Sequence, residues 1–416
     1  MTLATAIDRI MRAGIDDGVF PGGVVLVCCH GEVVLHRAYG HALLHADAQT
    51  RVAHPIPTAL DTVYDLASVT KVFTATGVMN LVEAGCLRLD DTVATHLPAF
   101  AANGKETITV RQLLTHTAGL PYVRLWEVAG SPDDRIAHAL AVTPEAPPGT
   151  TSTYHDTNFI VLGRLIEEVT GRRLDRALGE RVLDPLALTR TGFRVCLPTS
   201  VMLSPRAKHP RAKRTALTMG PASPGDASIP QHDDVQTRTV PSATRRHTIA
   251  ATEDAAHVGR GMVRGEVHDE NAWALGGVAG HAGLFGTAGN LGIFGQVFLD
   301  HGCSDPGLSD SVRLVSAAAV AEMTRNQIGA LGGRGLGWQL DEPSHMGRLA
   351  SPETFGHTGF TGTSLVIDPH RRVVMVMLTN RVHPTRTGPD VYAIRRAVAD
   401  AIADAINHRA YKEHEC

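Results

Sequence analysis

The chain reads as an α+β protein: one antiparallel sheet built from both ends, with flanking terminal helices and a helical subdomain supplied by the middle. Three observations predict this. Near the start, residues 22–29 and 32–40 are β-rich runs separated by His30-Gly31, a hairpin signal. Near the end, residues 362–369 and 373–380 flank His370-Arg371-Arg372, and a helix is expected from about 391 to 408. Between them the apolar spacing is helical, near 71–84, 110–115, 133–141, 158–170 and 174–183, punctuated by Leu120-Pro121 and Pro147-Pro148-Gly149. Strands at both ends and helices between are most economically joined as a single sheet with a helical region inserted.

Taken in order, the first twelve residues read as an amphipathic helix with charge, without the basic start and unbroken apolar stretch of a secretory signal. A cytoplasmic protein is expected, and no run approaches the length of a membrane span. We read residues 1–416 as a single catalytic unit, with 1–60 and 275–416 as the sheet region and 61–200 as the helical region. Residues 204–250, rich in Pro, Arg, Ser, Thr and His, break the pattern and read as a long loop or insertion.

The 416 residues are 43% hydrophobic, enough for a sizeable core. With 39 basic against 42 acidic residues the net charge is -3, so no global field recruits nucleic acid or an anionic membrane, and neither is an expected partner. A small-molecule or peptide substrate is the default. The six cysteines, Cys28, Cys29, Cys86, Cys196, Cys303 and Cys416, lack C-x-x-C spacing and read as small buried hydrophobes. The 22 histidines show no H-E-x-x-H or comparable ligand spacing, so His-based metal binding is a minor reading.

Chemistry enters at Ser68-Val69-Thr70-Lys71, at the start of a helical run. Positions i and i+3 share a helix face, so the Lys71 amine can stand beside the Ser68 hydroxyl, an unactivated nucleophile until a neighbour takes its proton. Downstream, Tyr154 in Tyr154-His155-Asp156 is a candidate proton relay, since a cationic lysine beside a phenol lowers its pKa. A third segment, Phe355-Gly356-His357-Thr358-Gly359-Phe360-Thr361-Gly362, is a strand whose small residues permit close approach to a ligand.

In this order and at these separations, S-x-x-K, Tyr-x-Asp and His-Thr-Gly resemble the motifs of the serine β-lactamase and penicillin-binding-protein superfamily, most closely its class C β-lactamase-like branch. The segments 65–71, 112–121, 154–159, 277–285 and 356–362 look like that branch's signatures. The resemblance implies Ser68 as nucleophile, Lys71 as its activating partner, Tyr154 as proton shuttle, and the backbone N–H groups of Ser68 and Phe360 as an oxyanion hole. It places Asp156, His357, Thr358, Gly359, Val123 and His281 in the substrate cleft.

The departures narrow the expectation. Asp156 stands where the branch carries an amide and, if ionised, can pair with Lys71 to hold it charged or orient it; His357 stands where a lysine binds the carboxylate of penicillins and cell-wall peptides. A mostly neutral histidine recognises anions weakly, so the pattern leans away from β-lactams. Val123 stands where a glutamine meets the substrate amide, implying a more apolar pocket. The expected function is a cofactor-independent acyl-enzyme hydrolase or transacylase for an ester or amide, with water, an amine or an alcohol as acceptor. The alternatives are a β-lactamase or D,D-peptidase, and a non-catalytic sensor of acyl ligands.

Overall fold

The hairpin expected at 22–40 forms inside the sheet, one strand in from an edge. In the computed structural model, which describes residues 2–195, 239–240, 249–304 and 312–413, β1 (Gly22–Cys29) turns into β2 (Glu32–His45) through His30 and Gly31, both at positive φ (52° and 85°). Two successive left-handed residues match the twist of a tight hairpin, which explains the glycine. β3 (Arg51–Pro57) pairs on the outside of β2. The other half comes from the far end of the chain: β4 (Gln339–Leu340), β5 (Phe355–Thr358), β6 (Ser364–Asp368) and β7 (Val373–Thr379). The order is β4-β5-β6-β7-β1-β2-β3 and every pair is antiparallel, with Gly23 opposite Thr379 and Cys29 opposite Val373. A sheet from both ends was the expectation, and it holds.

Alternation along the strands divides the core into two layers, because successive side chains point to opposite faces. Val25 and Val27 of β1, with Met375 and Met377 of β7, pack against Ile7 and Met11 of α1 (Leu3–Asp16) and Val398 and Ile402 of the terminal helix, which runs Tyr392–Glu413. Val24, Leu26, Val374 and Val376 face the other way, into the large cluster that holds the helical region.

That cluster is organised by α2 (Thr70–Glu83), buried on nearly every side, as expected of a helix apolar all round. Around it lie α3 (Asp156–Thr170), closed by Gly171 in a left-handed conformation, and α4 (Ala288–Leu299), which lies on the sheet. Short helices Val110–Leu114 and Pro132–Leu140 match expectation, while the expected helix at 174–183 is a helical turn at Leu174–Leu178 running into a wider π turn, Gly179–Leu183. With α2, α3, α4 and the terminal helix numbered in chain order, that last one is α5.

Two expectations need qualification. Cys28 and Cys303 are buried, but Cys86 is exposed in the turn after α2, so burial does not account for it; Cys196 and Cys416 lie outside the described residues. The loop expected at 204–250 lies almost entirely outside them as well. Among the described residues, no helix is long and apolar enough to cross a membrane.

Candidate active site

The site forms where the helical region meets the β5 edge of the sheet. Tyr64–Asp65 pairs briefly with Phe285–Gly286, and the chain then folds sharply, with Ala67 at φ 46°. A non-glycine residue in this region costs energy unless its surroundings hold it. Here they do: the buried Asp65 carboxylate accepts from Ala67 N at 2.9 Å and from His268 N at 2.6 Å. Thr361 and Thr363, beyond β5, donate to the carbonyls of Asp65 and Leu66 at 2.7 and 2.9 Å. The outcome is a single 3-10 turn, Ala67–Val69, that presents Ser68 at the cleft just before α2 begins.

One helical turn on, Lys71 points inward with its side chain fully buried. Its Nζ lies 2.8 Å from Ser68 Oγ, 2.8 Å from Asp156 Oδ1 and 3.2 Å from the His281 carbonyl. Burial works against the charged amine, but the Asp156 carboxylate and the Tyr154 phenol outweigh it and raise its pKa. Asp156, expected to meet substrate, is thus the counter-ion of Lys71.

Tyr154 reaches the same point from the loop before α3. The loop is pinned to the 116–121 segment by Thr153 N to His116 O at 3.0 Å and by His155 Nδ1 to Leu120 O at 2.9 Å. Lys71 Nζ stands 4.8 Å from the Tyr154 ring centre, and His116 packs against the ring at 4.6 Å between ring centres. Although 37% of Tyr154 is exposed at the cleft, its hydroxyl end is enclosed. Burial therefore raises its pKa, and the Lys71 charge recovers only part of the shift. This corrects the expectation of a lowered phenol: burial outweighs the ammonium, and the Asp156 carboxylate adds to the rise.

β5 forms the opposite wall. Gly359 is required there because a Cβ would stand 2.1 Å from Thr363 Oγ1 and 2.5 Å from the Leu66 carbonyl. His357 is buried, bonded through Nδ1 to the Thr358 carbonyl at 2.8 Å, and burial together with Lys71 depresses its pKa well below the ordinary histidine value. It stays neutral near pH 7, as its identity suggested. Thr358 lies 3.4 Å from the Tyr392 hydroxyl. The Phe360 ring projects into solvent between His268, Arg381 and Arg386, and its carbonyl accepts from Arg381 Nε at 3.1 Å.

Two expected cleft residues belong elsewhere. Val123 is buried with Leu125, Ala139, Ile160 and Ala274, because the chain direction there turns its side chain into the helical region; the exposed neighbour is Tyr122. His281 is also fully buried, with Nε2 on Asp269 at 2.8 Å, and reaches the site through its backbone carbonyl.

The cleft, about 420 Å³, also holds residues that sequence reasoning passed over, chief among them Arg334, Gln339, Tyr392 and Arg395. Arg395 is buried and braces the turn after β5 through the carbonyls of Gly359 and Thr363, at 2.9 and 2.8 Å. Arg334 stacks over the Tyr154 ring at 5.4 Å and makes no ion pair among the described residues; burial lowers its pKa. A Gly332-Gly333-Arg334-Gly335 loop carries no motif signal, so only proximity reveals it. Asp156, Asp269 and His281 bring ligand-type atoms within 4.8 Å of one another, but Lys71 already occupies Asp156. Glu253, His257 and Glu270 form a second such group, bridged by the Arg386 guanidinium.

A sheet from both termini, a helical region hung on it and an S-x-x-K turn at their junction define the architecture of serine β-lactamases and penicillin-binding proteins. The chain belongs to the Beta-lactamase family, which it matches over residues 7–400. It is 32% identical over 402 residues to a protein of Escherichia coli O157:H7 named "Putative D-alanyl-D-alanine carboxypeptidase", covering 92% of this chain and 83% of the relative. In fold it is similar to EstCE1, described as a hydrolase with promiscuous acyltransferase activity (TM-score 0.65, 22% identity, 95% and 98% of the two chains). A family VIII carboxylesterase is similarly alike (TM-score 0.66, 22% identity, 97% and 98%). The protein is a hydrolase of this serine β-lactamase and penicillin-binding-protein type.

Proposed function

We propose that the protein forms an acyl-enzyme at Ser68 and acts as a hydrolase or transacylase on an ester or amide. The observation that carries this reading is the 2.8 Å contact between Lys71 Nζ and Ser68 Oγ inside a buried, counter-charged setting. Ser68 Oγ attacks the acyl carbon while Lys71 takes its proton. The charge that develops on the carbonyl oxygen is assigned to the backbone N–H groups of Ser68 and Phe360. Tyr154, kept a neutral phenol by its raised pKa, is suited to give a proton to the leaving group and recover one from the Lys71 ammonium. An acceptor, water or an amine or alcohol, then releases the acyl group.

A second reading is favoured by Arg334. A half-buried guanidinium at the cleft, without an ion pair among the described residues, offers a site for a carboxylate, which the neutral His357 does not. It supports removal of a C-terminal residue from a peptide, in keeping with the carboxypeptidase name of the relatives. Intact-protein mass spectrometry separates the two. After exposure to activated esters, acyl-D-alanyl-D-alanine peptides and β-lactams, with and without amine acceptors, the mass added at Ser68 identifies the donor and its decay the acceptor. No adduct from any donor would defeat both readings and leave ligand binding without catalysis.

A further inference from the structure

Lys71 is bonded in more directions than contact with Ser68 alone requires. Ser68 Oγ, Asp156 Oδ1 and the His281 carbonyl lie at 2.8, 2.8 and 3.2 Å from Nζ, and the Tyr154 phenol also acts on it. An ionised carboxylate and a carbonyl only accept, so two N–H groups must point at them. The direction left over faces Ser68. When the amine is neutral and keeps those two N–H groups on their acceptors, its lone pair is left to receive the Ser68 proton.

We propose that Asp156 is a positioning residue that sets the basicity and working pH of Lys71 in activating Ser68. The proposal rests on Ser68 being the nucleophile. In the step itself the Ser68 O–H bond breaks as the bond from Oγ to the acyl carbon forms, and the proton passes to the Lys71 lone pair. The resulting ammonium finds the Asp156 carboxylate already in contact. The amide that class C-like sequences carry here has no charge to offer it.

The other titratable groups facing Lys71 do not replace this carboxylate. From the loop before α3 comes Tyr154, a neutral phenol. From the 116–121 segment comes His116 and from β5 His357, both pushed well below the ordinary histidine value, chiefly by burial. From the 269–281 segment comes Asp269, which has its own partner in His281 at 2.8 Å. The raised pKa of Lys71 agrees with the Asp156 contact.

The sign follows directly. Lys71 accepts a proton only as the free amine, so acylation rises as pH climbs through its pKa, and a raised pKa puts this acid limb on the alkaline side. Removing the carboxylate leaves burial opposed only by the Tyr154 phenol and moves the limb down. The test is the pH dependence of the acylation burst with a p-nitrophenyl ester for wild type, Asp156→Asn, Asp156→Glu and Ser68→Ala. The expected result is a limb lower by about 1–3 pH units in Asp156→Asn, with a lower plateau because the base is weaker, and a limb close to wild type in Asp156→Glu. Asp156→Ser serves the same purpose if Asp156→Asn does not fold. An unshifted limb in the uncharged variant, with Ser68→Ala silent, overturns this proposal alone; a burst that survives in Ser68→Ala overturns the nucleophile assignment beneath it.

Discussion

At the scale of single residues, the site depends on three side chains that share protons and one that shares none. Ser68→Ala should remove covalent labelling by a fluorophosphonate probe while leaving the melting temperature intact. Lys71→Ala should slow acylation by about 10²–10⁴-fold, the usual span for a positioned base; burst kinetics with an activated ester read it directly. Arg334→Ala should raise KM about 10–100-fold for a carboxylate-bearing peptide but leave a neutral ester nearly unaffected, as the loss of one charged hydrogen bond implies. Equal effects on both substrates would end the case for Arg334 as an anion anchor. Much of this site was legible in the sequence because Ser68 and Lys71 are one helical turn apart, and local spacing needs no tertiary knowledge. What escaped it was burial. The Tyr154 pKa depends on how its hydroxyl is enclosed, Val123 on which way an irregular segment turns, and Arg334 on a glycine-rich loop that folding brings across the cleft.

At the scale of elements, the nucleophile turn and the turn after β5 are one mechanical unit. Thr361 and Thr363 are hydrogen-bonded to the carbonyls of Asp65 and Leu66, and Gly359 leaves no room for a Cβ between them. Gly359→Ala should therefore push the two segments apart, costing about 1–3 kcal/mol of stability as overpacking does. Activity should fall further than stability alone predicts, because the Phe360 N–H moves with the turn. Chemical denaturation beside burst kinetics distinguishes the two losses. The elements themselves were readable where the pattern was clean: β1, β6 and β7 are short apolar, β-branched-rich runs bounded by turn residues, and α2 and α3 carry continuous helical spacing. β4, at two residues, has too little pattern to be seen. The bend at Ala67 has none, since it is imposed by Asp65 and the threonines of a distant segment.

At the scale of the whole molecule, buried histidines make stability depend on pH below about 6.5. Burial lowers His345 to about 3 and His383 to about 4, and also holds His116 and His357 well below 6.5. Their depressed values mean that stability is complete above pH 6.5, where the unfolded chain is also neutral, and is lost as pH falls toward the folded values. Each contributes about 1.4 kcal/mol per pH unit within that window. Urea midpoints should accordingly drop between pH 7 and pH 5, before carboxylates begin to titrate; a flat profile over that range would refute it. The pairing of Gly23 with Thr379 has a different consequence, for the chain as it is made. During synthesis β1 waits with an apolar edge exposed until β7 leaves the ribosome, because its neighbour on that side is encoded last. Such late, long-range pairing is slow and open to aggregation, so shortening the chain before residue 373 should yield insoluble protein rather than a smaller enzyme.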